Sequence, residues 1–311
     1  MEETGYLARI SFLFDHTMSK VGLQGKTIMP FFMALGCTIA GTTGTRVIDN
    51  WGQRVLAIAM SWAVPCAATV SVVPTIAIAL FDSNGGFLVI VSIFLFMFLM
   101  MWAVYKIFGN SLSPKEERVG LIMELPPYYK PDFRNILYVT FQRTFDILCR
   151  ALRVISIVSI VFFALTYGFG GSAENSILYK IGVVIEPVTI FFGLKWQAFL
   201  AFCASAISKE SLLGVLNTLY GAGGSLVSST FGAKAAGNAA DISQILSANF
   251  TKAEGLAFIF AISFNIPCVS ALAATARETH SVKWTAKIGV FYNAAELIVS
   301  CIVYHIGLLV F

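Results

Sequence analysis

Three thiols and one carboxylate stand where apolar runs are interrupted. Cys37 follows Gly36 and opens the small, hydroxyl-rich stretch Thr38-Ile39-Ala40-Gly41-Thr42-Thr43-Gly44-Thr45. Cys66 follows Pro65, Cys268 follows Pro267, and Glu210 lies in Ser208-Lys209-Glu210-Ser211, flanked by Ala206-Ile207 and Leu212-Leu213. Thiolates favour soft or borderline metals, whereas carboxylate and backbone oxygens suit harder ones. Three thiols with one carboxylate therefore suit a transient site for a divalent transition metal. An ionisable residue at apolar depth costs roughly 2.5–3.5 kcal/mol on insertion scales and is a functional candidate by default. Glu210 and Lys209 both meet that condition, although Lys209 could also snorkel to a membrane surface as half of an ion pair.

Other residues of the same types have plainer roles. A single membrane cysteine is most often a small buried hydrophobe, the role expected of Cys149, Cys203 and Cys301. His16, His280 and His305 do not cluster in sequence and lie near segment ends, so they read as interfacial. No CxxC spacing signals a disulfide framework or a soluble zinc site. No GxxxxGK[ST] loop occurs, so no nucleotide site of that kind is expected. Ser-His-Asp, HExxH and GxSxG patterns are also missing, and with them any nucleophile–base set of an enzyme.

The elements that must position these groups are set by composition. The 311 residues are 57% apolar and 12% charged, with a mean hydropathy of +0.79. Soluble domains carry about 25% charged residues, so the apolar excess requires lipid as a second solvent. In lipid every backbone polar group must be satisfied internally. The apolar runs are continuous rather than alternating, so helices are expected, not a barrel. The net charge of +4 is too small to suggest nucleic acid as a partner.

Along the chain, residues 1–26 are weakly amphipathic with an acidic start, unlike a signal peptide. Residues 27–40 are about half a span, running into unwound backbone over 36–45. Residues 54–81 form one run interrupted by Pro65 and again by Pro74. Asp82-Ser83-Asn84-Gly85-Gly86 is expected to turn, and 87–108 to span. Residues 109–144 hold Lys115, Arg118, Lys130, Arg134 and Arg143 and are placed in the cytoplasm. Further spans are expected at about 145–168 and 285–308. An interfacial segment is expected at 174–190, and two short apolar pieces at 195–221. An external Gly/Ala/Ser-rich stretch covers 222–250, and a run at 253–275 is broken by Pro267.

Two of these interruptions match. Ser61-Trp62-Ala63-Val64-Pro65-Cys66 parallels Ser263-Phe264-Asn265-Ile266-Pro267-Cys268. Each follows a short broken element, at Gly36-Cys37-Thr38 and at Ser208-Lys209-Glu210. Proline removes a donor and displaces the carbonyl four residues back. Broken helices at corresponding positions of two repeats point to a midplane transport site, while a proline kink with packing cysteines is the plain alternative. The expected fold is all-α: a polytopic helical membrane protein with two gate-type repeats containing broken, re-entrant helices. Its parts are an N-terminal amphipathic segment (1–26), a first gate repeat (27–108), a cytoplasmic loop (109–144) and a second gate repeat (145–311). The transport path would run past Thr38, Pro65, Ser208, Lys209, Ser263 and Pro267.

These motifs, taken in order, resemble the membrane part of the bacterial ferrous iron transport protein B family, the FeoB-type transporters with paired gate domains. Glu2-Glu3-Thr4-Gly5-Tyr6-Leu7-Ala8-Arg9 is similar to the family's acidic-Gly-Tyr-x-Ala-Arg segment. Gly22-Leu23-Gln24-Gly25-Lys26, Gly36-Cys37, Thr45-Arg46, Arg54 and Cys66 resemble its first gate. Pro126-Pro127-Tyr128-Tyr129-Lys130-Pro131 resembles its cytoplasmic loop. Ser208-Lys209-Glu210, Ile266-Pro267-Cys268 and Arg277-Glu278-Thr279 resemble its second gate. Thr38, Ala40 and Gly41 depart from the family's Asn-x-Pro-Ala, and Thr69 and Ser71 stand where it has Arg and Pro. The family's GTP-binding domain, helical domain and first span do not occur in these 311 residues.

The resemblance implies a multi-pass permease component of the bacterial inner membrane. It implies Fe2+ as substrate, no permanently bound cofactor, and Cys37, Cys66, Glu210 and Cys268 along the metal path. Expected partners are the bilayer, further copies of the chain, a separate GTPase subunit and a small FeoA-like accessory protein. Two other readings stay open: a non-transporting gate-domain partner of a full-length transporter, and a permease for nucleosides or a similar solute.

Overall fold

The computed structural model describes residues 6–20, 22–113, 133–166, 189, 193–207, 209, 212, 216 and 250–310. Every regular element among them is helical, the solution that lipid imposes on a backbone with no water to bond to. Among the described residues, three helical stretches are long and apolar enough to cross a membrane: Asn84–Leu112, Lys252–Thr279 and Val282–Leu309. Of the expected segments 174–190 and 222–250, all but residues 189 and 250 lie outside the described residues. The chain divides into two units. The first comprises Met1–Cys66, Met97–Val154 and Ser270–Ala286; the second comprises Ala67–Phe96, Ile155–Val269 and Lys287–Phe311.

The first unit opens with α1 (Tyr6–Lys20). The Gly25 N–H donates to Asp15 Oδ1 at 2.8 Å, which ties the following turn back onto α1. Helices α2 (Ile28–Gly36) and α3 (Thr38–Gly44) are separated by one extended residue, Cys37. They pack tightly, for a Cβ at Gly41 would lie 2.6 Å from Ala34 Cβ and 2.9 Å from the Pro30 carbonyl oxygen. The stretch 36–45 is therefore not unwound as its composition suggested. Two of its hydroxyls bond back to the preceding turn instead of competing with it: Thr43 Oγ1 donates to Ile39 O at 3.0 Å, and Thr45 Oγ1 donates to Thr42 O at 2.7 Å. Helix α4 (Trp51–Ser61) starts from Asn50, whose side chain accepts from the Gly52 and Gln53 N–H groups, a standard cap. At Gly52 a Cβ would meet the Leu112 carbonyl oxygen at 1.9 Å, so backbone touches backbone there.

Helix α5 (Ala67–Leu112) is assigned without interruption through both Pro74 and 82–86. The expected turn survives in another form. Residues eight apart on a straight helix are about 12 Å apart, yet a Cβ on Gly86 would lie 3.2 Å from Ile78 Cα. The helix axis thus folds back between Ile78 and Gly86, and the missing side chain of Gly86 allows the close approach. Helix α6 (Phe133–Thr166) begins well inside the segment expected to be loop, because the apolar spacing of Phe133, Leu137, Phe141 and Phe145 outweighs its charges.

In the second unit, α7 (Trp196–Ile207) packs beside α8 (Lys252–Phe264). A capping box between Thr251 and Glu254 starts α8, and Lys195 Nζ adds an ion pair to Glu254 at 3.2 Å. Phe96 lays its ring edgewise against Phe260 and Phe264, with centroids 5.8 and 5.0 Å away. The chain continues from α8 into α9 (Val269–Thr279), which apart from Val269 belongs to the first unit, and then into α10 (Val282–Val310), which from Lys287 onward belongs to the second. His280 joins them with φ 49°, the left-handed residue that commonly ends a helix. On α10, Ile288, Tyr292, Glu296 and Ser300 are fully buried, while Val290, Ile298, Ile302 and Ile306 are exposed. One face meets protein, and the other presents apolar surface of the kind that lipid covers.

Candidate transport site

Both Pro-Cys motifs interrupt one helix and lead directly into the next. Helix α4 stops at Ser61, whose Oγ donates to Ile58 O at 2.8 Å. The Ala63 and Val64 N–H groups close one tight turn on Met60 O and Ser61 O. Pro65 is buried, Cys66 is extended and half-buried, and α5 restarts at Ala67. Helix α8 stops at Phe264, and the preceding Ser263 donates Oγ to Ile259 O at 2.7 Å. Asn265 is extended, Pro267 is buried, Cys268 is half-buried, and α9 restarts at Val269. In each motif the serine hydroxyl serves the helix end, proline removes a donor, and the cysteine is the last residue before the next helix.

Cys37 makes a third break. With φ −153° and ψ 126° it is a single extended residue between α2 and α3. Its N–H donates to Met33 O at 2.9 Å, and its carbonyl accepts from Gly41 N at 3.0 Å. The backbone is thus satisfied while the thiol is exposed. Thr38, next along, is buried.

Each unit fastens its break with side chains from elsewhere. In the first, Trp62 Nε1 donates to Thr275 Oγ1 at 3.2 Å, and Trp51 Nε1 donates to Thr279 O at 2.9 Å. Arg46 Nε lies 2.8 and 2.9 Å from the two Glu278 carboxylate oxygens. That hydrogen bonding raises the already high pKa of Arg46, so its guanidinium stays charged beside the buried Glu278. In the second unit, Asn265 Nδ2 donates to Ser205 Oγ at 2.8 Å and to Phe202 O at 3.3 Å, holding the broken end of α8 against α7.

Lys209 has a defined place. Its Nζ donates to Ile262 O and to Thr69 Oγ1, both at 3.3 Å. The carbonyl of Ile262 belongs to the last turn of α8, where no fourth residue onward returns a helical N–H. The ammonium fills that gap at the negative end of the helix dipole. Thr69, Ser205, Lys209, Leu212 and Ile262 line a cavity of about 10 Å3, room for roughly one water.

Of the expected metal-path residues, Cys37 and Cys66 lie in the first unit and Cys268 in the second. Ser208 and Glu210 lie outside the described residues. Among the described residues no three His, Cys, Asp or Glu side chains form a metal-holding group. Cys149 and Cys203 are exposed rather than buried; a thiol is apolar enough to face lipid. Sequence reasoning passed over Glu296, which is fully buried and has no hydrogen-bond partner at either carboxyl oxygen among the described residues. An acid inside the run 285–308 was the available signal, hidden by the apolar average around it.

Interrupted, lipid-exposed helices with recurring Pro-Cys breaks define a polytopic helical membrane protein of the gate type. The gate family described as "Nucleoside recognition" matches residues 1–80 and 148–282, and the family "Ferrous iron transport protein B C terminus" matches residues 90–143. The Fe(2+) transporter FeoB of Staphylococcus aureus is 26% identical over 99% of this chain and 44% of its own length. That of Leptospira biflexa is 27% identical over 99% of this chain and 46% of its own. The Escherichia coli K12 protein is 31% identical over 71% of this chain and 29% of its own length. The chain belongs to the gate family, and within it corresponds to the C-terminal membrane portion of the ferrous iron transport protein B group. It spans a little under half the length of the first two relatives. No solved structure matches it.

Proposed function

We propose that this chain is a permease component for ferrous iron or a related divalent transition metal, and not an enzyme. The matched Pro-Cys breaks carry this reading. Each leaves a thiol at a helix start, next to backbone that has left the helical hydrogen-bond ladder, in a segment otherwise built for lipid. A divalent cation sheds water only where other donors replace it, and thiol, carboxylate and backbone oxygen together suit Fe2+. Cys37, Cys66, Glu210 and Cys268 are the proposed ligands along the path. Thr38, Ser208, Lys209, Ser263, Pro65 and Pro267 shape it. Lys209 and Ser263 act by holding the cut end of α8.

The chain sits in the bacterial inner membrane with 109–144 on the cytoplasmic side, where its basic residues place it. The repeat boundaries 27–108 and 145–311 follow from the paired motifs. A GTPase subunit and a small FeoA-like protein are the proposed partners, on the likeness to ferrous iron transporters.

The test is uptake of radioactive Fe2+ by cells without other iron importers. Wild type restores uptake, and Cys268→Ser and Glu210→Ala each lower it roughly tenfold or more, as loss of a metal contact does. Wild-type rates in both variants refute the assigned path. A nucleoside permease is the second reading, favoured by the description of the matching family. Thermal stabilisation of the purified chain by nucleosides, with none by divalent cations, would select it.

A further inference from the structure

Glu296 stands mid-way along α10, within the Val282–Leu309 stretch that is apolar enough to cross a membrane. Its side chain is 0% exposed, and among the described residues neither carboxyl oxygen has a hydrogen-bond partner. Tyr292 and Ser300 lie four residues to either side, on the same helix face, and both are fully buried. Ser300 Oγ donates to Ala257 O at 3.3 Å, which turns this face towards α8. Asn265 and Ser263, also buried polar residues of the second unit, each have partners. A bare carboxylate in this position would lose its hydration, at a cost of several kcal/mol, with nothing in return. The group is therefore either neutral, carrying a proton, or bound to a cation.

Its charged and titratable surroundings among the described residues are few. Lys209 interacts with it electrostatically, Cys203 lies on α7, and Tyr292 is one turn away on α10. The ionisable residues of α8, Lys252 and Glu254, lie in its first turn; α7 contributes only Cys203, and Ala67–Phe96 contains only Asp82. The Lys209 ammonium already serves Ile262 O and Thr69.

Resting on the permeation reading above, we propose that Glu296 is a cation-exchange carboxyl, protonated at rest, that gives up its proton as a divalent cation binds its oxygens. The O–H bond breaks, the proton passes to water, and the freed oxygen lone pair contacts the cation. No electron is transferred. One of the two charges the cation brings is thereby cancelled inside the protein, easing its stay in a medium of low dielectric.

The experiment uses the full chain in lipid nanodiscs, without oxygen, with Mn2+ as probe. Difference infrared spectra of wild type are expected to lose the C=O stretch of a protonated carboxylic acid when Mn2+ is added. That signal is expected to be absent in Glu296→Gln, with proton release lower by about one per cation bound. Glu296→Asp keeps a carboxyl, retains the signal with altered Mn2+ affinity, and serves if Glu296→Gln folds poorly. Mn2+ binding by wild type with no change in the carboxylic acid band overturns the exchange alone, as does undiminished proton release in Glu296→Gln. A wild-type chain that binds no Mn2+ overturns the permeation reading as well.

Discussion

Lys209 shows how a residue with the charge for chemistry can first serve structure. Its place among apolar neighbours marks it in the sequence, but not its target. The target is the Ile262 carbonyl, which loses its helical partner because α8 ends just beyond it. Lys209→Met keeps the apolar stem and removes the donor, leaving a polar oxygen unpaired. The expected loss is about 1–3 kcal/mol, read as a lower thermal midpoint in detergent, and Lys209→Arg should recover part of it. An unchanged midpoint in Lys209→Met would mean the ammonium does not hold the end of α8. Glu296 shows the reverse. Nothing in its immediate sequence separates it from other residues of a long span, because its meaning lies in what fails to touch it.

At the scale of elements, the breaks were legible and their detailed form was not. Proline and cysteine locate the ends of α4 and α8, since proline denies the ladder a donor wherever it stands. Around Cys37 the composition misled: Gly41, Thr42, Thr43 and Gly44 suggest irregular backbone but build α3, because Gly41 permits contact with α2. Gly41→Ala puts a methyl 2.6 Å from Ala34 Cβ and 2.9 Å from a carbonyl oxygen. It should cost about 1–3 kcal/mol by overpacking and alter the reactivity of the Cys37 thiol. Gly36→Ala has nothing within 4 Å of the new methyl and should be neutral or stabilise by up to about 1 kcal/mol. Equal thermal midpoints for the two variants would contradict the tight α2–α3 packing. The fold-back between Ile78 and Gly86 was legible as a turn, whereas the early start of α6 was masked by Arg134 and Arg143.

For the whole molecule, the class follows from composition alone: a chain this apolar must spend its surface on lipid, and only helices can then satisfy its backbone. The number of motifs in matching order tied it to ferrous iron transport protein B before any coordinates. The path is harder to read, because ligands are defined by where distant segments meet and spacing along the chain does not record that. The account's central claim is that the thiols at the breaks, and not the cysteines elsewhere, meet the transported metal. Alkylation of each cysteine, followed by mass spectrometry of the full chain in lipid with and without Fe2+ under anaerobic conditions, tests it most directly. Fe2+ should slow modification of Cys37, Cys66 and Cys268 and leave Cys149, Cys203 and Cys301 unchanged; equal rates for all six with and without the metal would contradict it.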